Sequence, residues 1–185
     1  PEVFDVWMRI LTQVEGSVLW LLEDTPAAAR HLVQEAARRG VAAERLVFAP
    51  RVPVAEHLAR HRLADLFLDT LPYNAHTTAS DALRKGAPIL TLPGAGFASR
   101  VAASLLTTLG LPELIAADEA AYVAAAVSWT RDRAALDALR RRLAAAVEDS
   151  AVFDPVRFAR TLEAAFQALH ARRLAGAPPT ALDLA

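Results

Sequence analysis

Residues 56–83 read EHLARHRLADLFLDTLPYNAHTTASDAL and combine a short helix, a buried strand, a polar loop and the start of a second helix. The apolar run at 66–68 predicts the strand, and Pro72 and Asn74 mark the loop. We expect the second helix to begin at Thr77 and to end before Gly86, because glycine is common just after a helix. A strand that leads through a loop into a helix is the repeating unit of a parallel α/β sheet.

Segments on both sides repeat this alternation of strands and helices. We predict further strands at 18–22, 46–48, 89–92 and 114–115, and further helices at 1–11, 26–39, 54–62, 97–109, 119–129, 132–148 and 155–172. The run at 18–22 is apolar throughout, which is typical of a strand buried on both faces. The sequence therefore predicts an α/β fold with a Rossmann-like, doubly wound, mainly parallel sheet and C-terminal helices. We expect this domain at 1–172 and an extended tail at 173–185.

Composition limits the classes of function. The chain has 185 residues, of which 54% are hydrophobic, and a formal net charge of -1. Its length fits one domain, and its charge provides no basic surface for nucleic acid. The absence of cysteine excludes disulfides, thiol nucleophiles and Cys-ligated zinc. No apolar run is long enough to span a membrane and no signal peptide opens the chain, so we expect a soluble, cytoplasmic part of a longer protein.

The first candidate site follows the strand at 66–68, because ligands of open α/β sheets bind at the carboxyl ends of strands. A helix that starts at His76, Thr77 and Thr78 offers backbone N–H groups and the positive end of its dipole to an anion. The threonine hydroxyls can add hydrogen bonds to a diphosphate, and Asp81, one turn later, can accept them from ribose. A structural interpretation stays open, in which Thr77 caps the helix and Asp81 balances its dipole.

The second candidate site follows the strand at 46–48, in the loop around Val52 and the helix after it. His57 and Arg60 are three residues apart and therefore share one helix face. Their ring and guanidinium planes can stack on a nucleobase, while backbone groups of the loop bind the edge of the base. The alternative is a solvated helix face on which the histidine has no functional role.

Other motifs are incomplete. The segment Gly94-Ala95-Gly96 lacks the third glycine of a dinucleotide-binding fingerprint. The sequence has no Asp-x-Asp pair to hold a metal-bound diphosphate, so we expect no metal cofactor. The three tryptophans fit core positions better than a binding surface: Trp7, Trp20 and Trp129.

Three segments together resemble a known family. VLWLL at 18–22, the stretch at 56–83 and GFASRVAASLL at 96–106 are similar to the C-terminal catalytic lobe of the protein O-linked N-acetylglucosamine transferases. The resemblance implies one lobe of a GT-B fold, which binds the donor in an inverting, metal-independent transfer of N-acetylglucosamine (GlcNAc) from UDP-GlcNAc to Ser or Thr of proteins. It also implies an acceptor-binding lobe and tetratricopeptide repeats upstream, so we expect this fragment to be inactive alone.

Carried over by position, the resemblance assigns all candidates to the donor nucleotide. It implies a base and ribose pocket at Val52, His57 and Arg60, a diphosphate site at His76, Thr77 and Thr78, and a ribose contact at Asp81. The similar SPINDLY-like, fucose-transferring proteins have threonine in place of His76, so the histidine favours UDP-GlcNAc over GDP-fucose.

Two departures from the family keep other functions open. The family places a lysine three residues before His57, where this chain has Val54, and its diphosphate-binding lysine lies upstream of residue 1. The alternatives are a non-catalytic nucleotide-sugar-binding or scaffold lobe of a repeat protein, a protein O-fucosyltransferase that uses GDP-fucose, and a UDP-sugar epimerase.

Overall fold

The computed structural model describes residues 2–182, which contain eight α-helices and four short β-strands. The helices are α1 Glu2–Gln13, α2 Pro26–Arg38, α3 Val54–Arg60, α4 Thr77–Arg84, α5 Val101–Thr108, α6 Glu119–Arg131, α7 Arg133–Asp149 and α8 Pro155–Leu174. The strands are β1 Leu19–Leu22, β2 Leu46–Ala49, β3 Phe67–Leu68 and β4 Ile89–Leu90. Each predicted helix and strand is present except the one at 114–115, where Ile115 forms only a single parallel bridge with Thr91.

The strands form two parallel pairs. β1 pairs with β2, with Leu19 opposite Leu46, and β3 pairs with β4, with Phe67 opposite Ile89. In each pair a helix connects the two strands, α2 in the first and α4 in the second, as parallel pairing requires. The predicted α/β class with parallel strands is therefore confirmed.

Helix α1 packs against both strand pairs. One side of it packs with the first pair through Phe4, Met8 and Leu11. Its Val6 and Ile10 instead pack beside β4 and α6. A third apolar cluster joins α4, α5 and α7. Each fully buried leucine or phenylalanine side chain in such a cluster contributes about 1.5–3 kcal/mol, so α1 holds the two pairs in one body.

The expectation that β1 is buried on both faces is wrong. Leu19 is buried, whereas Trp20 and Leu22 are exposed, so the strand has one covered face and one open face. The guanidinium of Arg60 lies 5.9 Å from the ring centroid of Trp20 and covers the open face only in part. Trp20 is therefore not the core residue that we predicted, whereas Trp7 and Trp129 pack against apolar clusters.

The C-terminal part is helical for slightly longer than expected. Helix α8 ends at Leu174, so the first two residues of the predicted tail belong to it. Residues 177–182 have no regular secondary structure, and the rest of the predicted tail, 183–185, lies outside the described residues. Within residues 2–182, no helix has the length and apolar composition needed to cross a membrane.

Candidate functional site

The loop between β3 and α4 is held from the inside by Asp69. Its carboxylate is buried, with 1% of the residue exposed, and accepts hydrogen bonds from the N–H groups of Thr70 at 2.8 Å and Ala75 at 2.7 Å. The hydroxyl of Thr91 donates a third at 2.6 Å, and the hydroxyl of Tyr122 donates to the Asp69 carbonyl at 3.1 Å. Because a buried carboxylate is costly unless it is hydrogen-bonded, these donors fix the start of the loop.

Burial also changes the pKa values of Asp69 and Tyr122. It raises the pKa of the Asp69 carboxyl, against the opposing effect of the hydrogen bonds from Thr91, Ala75 and Thr70. Burial and the nearby Asp69 charge raise the pKa of the Tyr122 hydroxyl. Tyr122 therefore stays protonated and keeps its bond to the loop. Both groups are enclosed, so their role is to position the loop.

Asn74 links the loop between β3 and α4 to the segment that precedes α5. The residue is buried, its N–H donates to the carbonyl of Ala98 at 2.9 Å, and its side-chain Nδ2 donates to the carbonyl of Thr70 at 2.9 Å. Ala98 belongs to the short 3-10 helix Phe97–Ser99 that precedes α5. The loop before α4 and the segment before α5 are therefore fastened to each other.

The start of α4 presents unused hydrogen-bond donors. His76 is the N-cap residue and makes no side-chain cap, and the N–H of Ser80 bonds back to its carbonyl at 3.1 Å. Thr77 and Thr78 are exposed, and the hydrogen bonds found in residues 2–182 include none donated by their N–H groups or hydroxyls. The interpretation in which Thr77 caps the helix is therefore wrong. Free N–H groups at the positive end of a helix suit an anion.

The ring of His76 is held at this opening by its neighbours. Its Nε2 donates to the carbonyl of Ala98 at 3.2 Å, which fixes the proton on Nε2, because a carbonyl only accepts. The ring stacks on Tyr73, with centroids 4.8 Å apart and planes 20° from parallel. Phe97 meets it edge-on, with centroids 6.0 Å apart. His76 is therefore fixed in orientation beside the free N–H groups.

Helix α3 holds the second candidate pair in direct contact. Arg60 donates one hydrogen bond to Nδ1 of His57 at 2.7 Å and another to the carbonyl of Pro50 at 2.9 Å. A guanidinium only donates, so the neutral ring carries its proton on Nε2. Burial, together with the charges of Arg60 and His61, lowers the pKa of His57. His57 therefore presents an uncharged ring and one N–H donor at neutral pH.

The two candidate sites interact electrostatically. The carboxylate of Asp81 in α4 acts to raise the pKa of His57 in α3, although burial and the charges of Arg60 and His61 lower it overall. Asp81 is half-buried and takes part in none of the ion pairs found in residues 2–182. Val52 is half-buried in the loop just before α3. The Asp81 carboxylate is therefore free to accept hydrogen bonds from a ligand.

The sequence prediction gave no individual role to four residues that shape the candidate site. Asp69 and Asn74 anchor the loop, and Tyr73 and Phe97 flank His76. A carboxylate directly after a buried strand is a signal that would have marked Asp69. No comparable signal marks the others. Among the described residues, no group of three or more His, Asp or Glu side chains is arranged to hold a metal ion.

Three separate comparisons with known proteins identify the same family. The sequence model of glycosyl transferase family 41 matches residues 1–162. The chain is 37% identical over 163 residues to the UDP-N-acetylglucosamine--peptide N-acetylglucosaminyltransferase of Caenorhabditis elegans, covering 88% of this chain and 14% of that protein. It is 33% identical to a probable enzyme of the same name, SPINDLY, of Hordeum vulgare, covering 97% of this chain and 19% of that protein.

A solved structure agrees with the sequence relatives. A variant of the O-GlcNAc transferase of Thermobaculum terrenum superposes with a TM-score of 0.83 at 35% identity, over 90% of this chain and 32% of that one. The chain spans 14% to 20% of the length of the curated relatives. The predicted resemblance is confirmed over most of the chain, which belongs to glycosyl transferase family 41.

Proposed function

We propose that this chain binds UDP-GlcNAc and is the donor-binding part of a protein that transfers GlcNAc to Ser or Thr hydroxyls of other proteins. The observation that carries the proposal is the start of α4, where Thr77 and Thr78 present free N–H groups and hydroxyls together. This arrangement suits the diphosphate of a nucleotide sugar. The printed names of the relatives from Caenorhabditis elegans and Arabidopsis thaliana describe the same transfer.

The nucleoside extends from α4 toward α3 in this proposal. Asp81 accepts hydrogen bonds from the ribose, since its carboxylate forms no ion pair within the described residues. His57 and Arg60 contact the base and the ribose, and backbone groups near Val52 bind the edge of the base. The lowered pKa of His57 supports this assignment, because an uncharged ring suits a base better than a phosphate.

The transfer reaction requires that negative charge be stabilised at the start of α4. The acceptor hydroxyl attacks the anomeric carbon and gives its proton to a base, while the bond from that carbon to the β-phosphate oxygen breaks. The electron pair of that bond leaves with UDP, so negative charge develops on the diphosphate. Fixed N–H groups and the hydroxyls of Thr77 and Thr78 stabilise this charge without reorganising. The expectation that no metal is needed stays a prediction, which turnover in the presence of a chelator tests.

The remaining parts of the activity belong to the longer protein. We propose that an acceptor-binding lobe and tetratricopeptide repeats complete it and that it acts in the cytoplasm on protein substrates. The lengths of the relatives, five- to seven-fold greater than their matched segments, support additional domains. Without those domains, this chain is expected to bind the donor but not to transfer the sugar.

Calorimetric titration of this chain and of the full-length protein with UDP, UDP-GlcNAc and GDP tests donor binding. We expect binding of UDP and UDP-GlcNAc, and about tenfold weaker binding of GDP, because the base pocket is assigned to uracil. His57→Ala and Thr77→Ala are each expected to weaken UDP binding about tenfold through a lost contact. His170→Ala and Thr107→Ala, which remove the same side chains from α8 and α5, are the matched controls and should bind normally.

The outcomes separate the candidate functions. Tighter binding of GDP than of UDP would favour the fucose-transferring alternative. Silence of the full-length protein toward every nucleotide would favour the scaffold alternative, which Val54 supports, because it replaces a nucleotide-binding lysine of the family. Val54 lies at the first position of α3 and is 74% exposed, so a longer side chain fits there.

Val54→Lys is expected to raise the affinity for UDP roughly threefold to tenfold. The ammonium would lie one turn before His57, near the proposed nucleotide, where a charge-assisted hydrogen bond is favourable but exposed to solvent. Val54→Gln gives a side chain of similar reach without charge and serves as the control. Titration at low and high salt measures the gain, which should shrink as salt screens the charge. Equal effects of Lys and Gln would contradict an electrostatic role at this position.

A further inference from the structure

Trp20 lies on the open face of β1, in contact with helix α3. Its neighbours Leu19 and Leu21 pack into an apolar cluster on the covered face, and because side chains alternate along a strand, the indole points the other way. The guanidinium of Arg60 lies over this indole, 5.9 Å from the ring centroid. A guanidinium is attracted to the negative face of an aromatic ring, most strongly to that of tryptophan. The contact therefore joins the strand to the helix that carries His57.

The Arg60 guanidinium is held both at its edge and on its face. At the edge it donates to the carbonyl of Pro50 at 2.9 Å and to Nδ1 of His57 at 2.7 Å, and on the face it meets Trp20. The N–H donors of a guanidinium all lie in its plane, so an aromatic ring can cover the face without competing for them. A long arginine side chain loses rotamer entropy when it is fixed, and each of these contacts offsets part of that loss.

Trp20 gives Arg60 a kind of support that its other partners do not. In residues 2–182, no carboxylate forms an ion pair with Arg60, and both of its hydrogen-bond acceptors are neutral. The negative face of the Trp20 ring is therefore the group in this range that favours the charge of the guanidinium. The indole is 37% exposed and belongs to none of the three apolar clusters formed by the described residues. Its position thus serves the contact with Arg60 more than the packing of the core.

The position of Arg60 in turn determines the state of the His57 ring. Its bond to Nδ1 places the proton of the neutral imidazole on Nε2 and fixes the orientation of the ring. The ring of His61 meets that of His57 edge-on, with centroids 4.8 Å apart, and its Nδ1–H donates to the His57 carbonyl at 2.8 Å. These contacts do not replace the donor at Nδ1. If Arg60 moves away, His57 loses its single tautomer and its fixed orientation.

We propose that Trp20 is a positioning residue for nucleotide binding. It holds Arg60 in place, and Arg60 orients His57 so that its Nε2–H is presented to the nucleoside. Trp20 acts through Arg60 and makes no contact of its own with the donor. This inference rests on the proposed function, which assigns His57 and Arg60 to the base and the ribose. It goes further by giving a residue of β1, outside both candidate sites, a defined effect on donor affinity.

A double-mutant cycle on the full-length protein tests the inference. Calorimetry measures Kd for UDP in wild type, Trp20→Leu, Arg60→Gln and the variant that carries both changes. We expect Trp20→Leu to weaken binding roughly threefold to tenfold, because the guanidinium loses the ring that holds it. In the Arg60→Gln background the same change should have no further effect, since two residues that act as one unit are not additive. In steady-state transfer, KM for UDP-GlcNAc should rise by the same factor while kcat is unchanged.

Three further variants serve as controls. Trp20→Phe keeps an aromatic face and should recover most of the affinity. Trp20→Met has a similar reach without a ring, so it should behave like Trp20→Leu and replaces it if that variant does not fold. Val18→Ala removes an exposed apolar side chain from the same open face and should bind UDP normally. Urea denaturation of each variant shows whether a change in affinity follows a change in stability.

Each other outcome overturns the proposal in a recognisable way. An equal loss of affinity from Trp20→Leu in both backgrounds would show that Trp20 does not act through Arg60. A loss that Val18→Ala shares, or that follows a lower urea midpoint, would make Trp20 a structural residue only. Unchanged Kd in Trp20→Leu and Trp20→Met would leave the indole without a role in binding. Failure of wild type to bind UDP at all would defeat the proposed function itself, and the inference with it.

Discussion

Replacing Asp69 with alanine is expected to lower the free energy of unfolding by about 3–5 kcal/mol. The change leaves the N–H groups of Thr70 and Ala75 and the hydroxyl of Thr91 without their common acceptor inside the protein. Each buried donor left unsatisfied costs about 1–3 kcal/mol, and partial relaxation of the loop reduces the sum. The total free energy of unfolding of a domain of this size is about 5–15 kcal/mol, so the variant should be marginally folded. Urea denaturation followed by circular dichroism measures the loss.

Two further variants show whether the buried contacts cause the effect. Asp69→Asn keeps an oxygen for the two N–H groups and places an amide next to Thr91, so it should lose only about 1–2 kcal/mol. Asp65→Ala removes an exposed carboxylate that pairs with Arg133, and it should change stability by less than about 0.5 kcal/mol. If Asp69→Ala proves as stable as Asp65→Ala, Asp69 does not anchor the loop.

Thr77→Ala is expected to lower the turnover of the full-length protein about 100-fold or more. Its hydroxyl is assigned to the charge that develops on the leaving diphosphate, and a fixed donor of this kind contributes about 2.7–4 kcal/mol to a transition state. The free energy of unfolding should change by less than about 0.5 kcal/mol, because the side chain is exposed and does not cap α4. Steady-state transfer from labelled UDP-GlcNAc to a peptide measures the first quantity, and urea denaturation measures the second.

Two other threonine variants serve as controls for this experiment. Thr77→Ser keeps the hydroxyl and should recover most of the turnover. Thr107→Ala removes an exposed threonine of α5 whose hydroxyl donates only to the carbonyl of Ala103, and it should leave turnover unchanged. Normal turnover in Thr77→Ala would contradict the assignment of α4 to the diphosphate. A fall in turnover that follows a fall in stability would show that the residue is structural.

Local signals were enough to predict the elements of the fold. Short apolar runs marked the strands, and helix ends coincided with glycines that have positive φ, at Gly40 with 75°, Gly86 with 83° and Gly110 with 67°. The burial of β1 was not predictable in the same way. An apolar run predicts that a strand forms. Which face of the strand is covered depends on elements far away in the chain, such as α1 and α3.

Candidate site residues could be named from the sequence where they are contiguous. The candidates in α3 and α4 were found because helix starts and strand ends have local signatures. The anchors were missed because their partners are distant in sequence: Asp69 meets Thr91 22 residues later and Tyr122 53 residues later. Tyr73 and Phe97 were missed for a similar reason, since only the contact between two loops brings both rings to His76.

The loop before α4 is fastened by its buried ends, Asp69 and Asn74, while Pro72 and Tyr73 between them face solvent. Substitutions at the outer positions break none of the side-chain bonds of Asp69 and Asn74. The side chain at Tyr73 can therefore change during evolution without loss of the hydrogen bonds that anchor the loop.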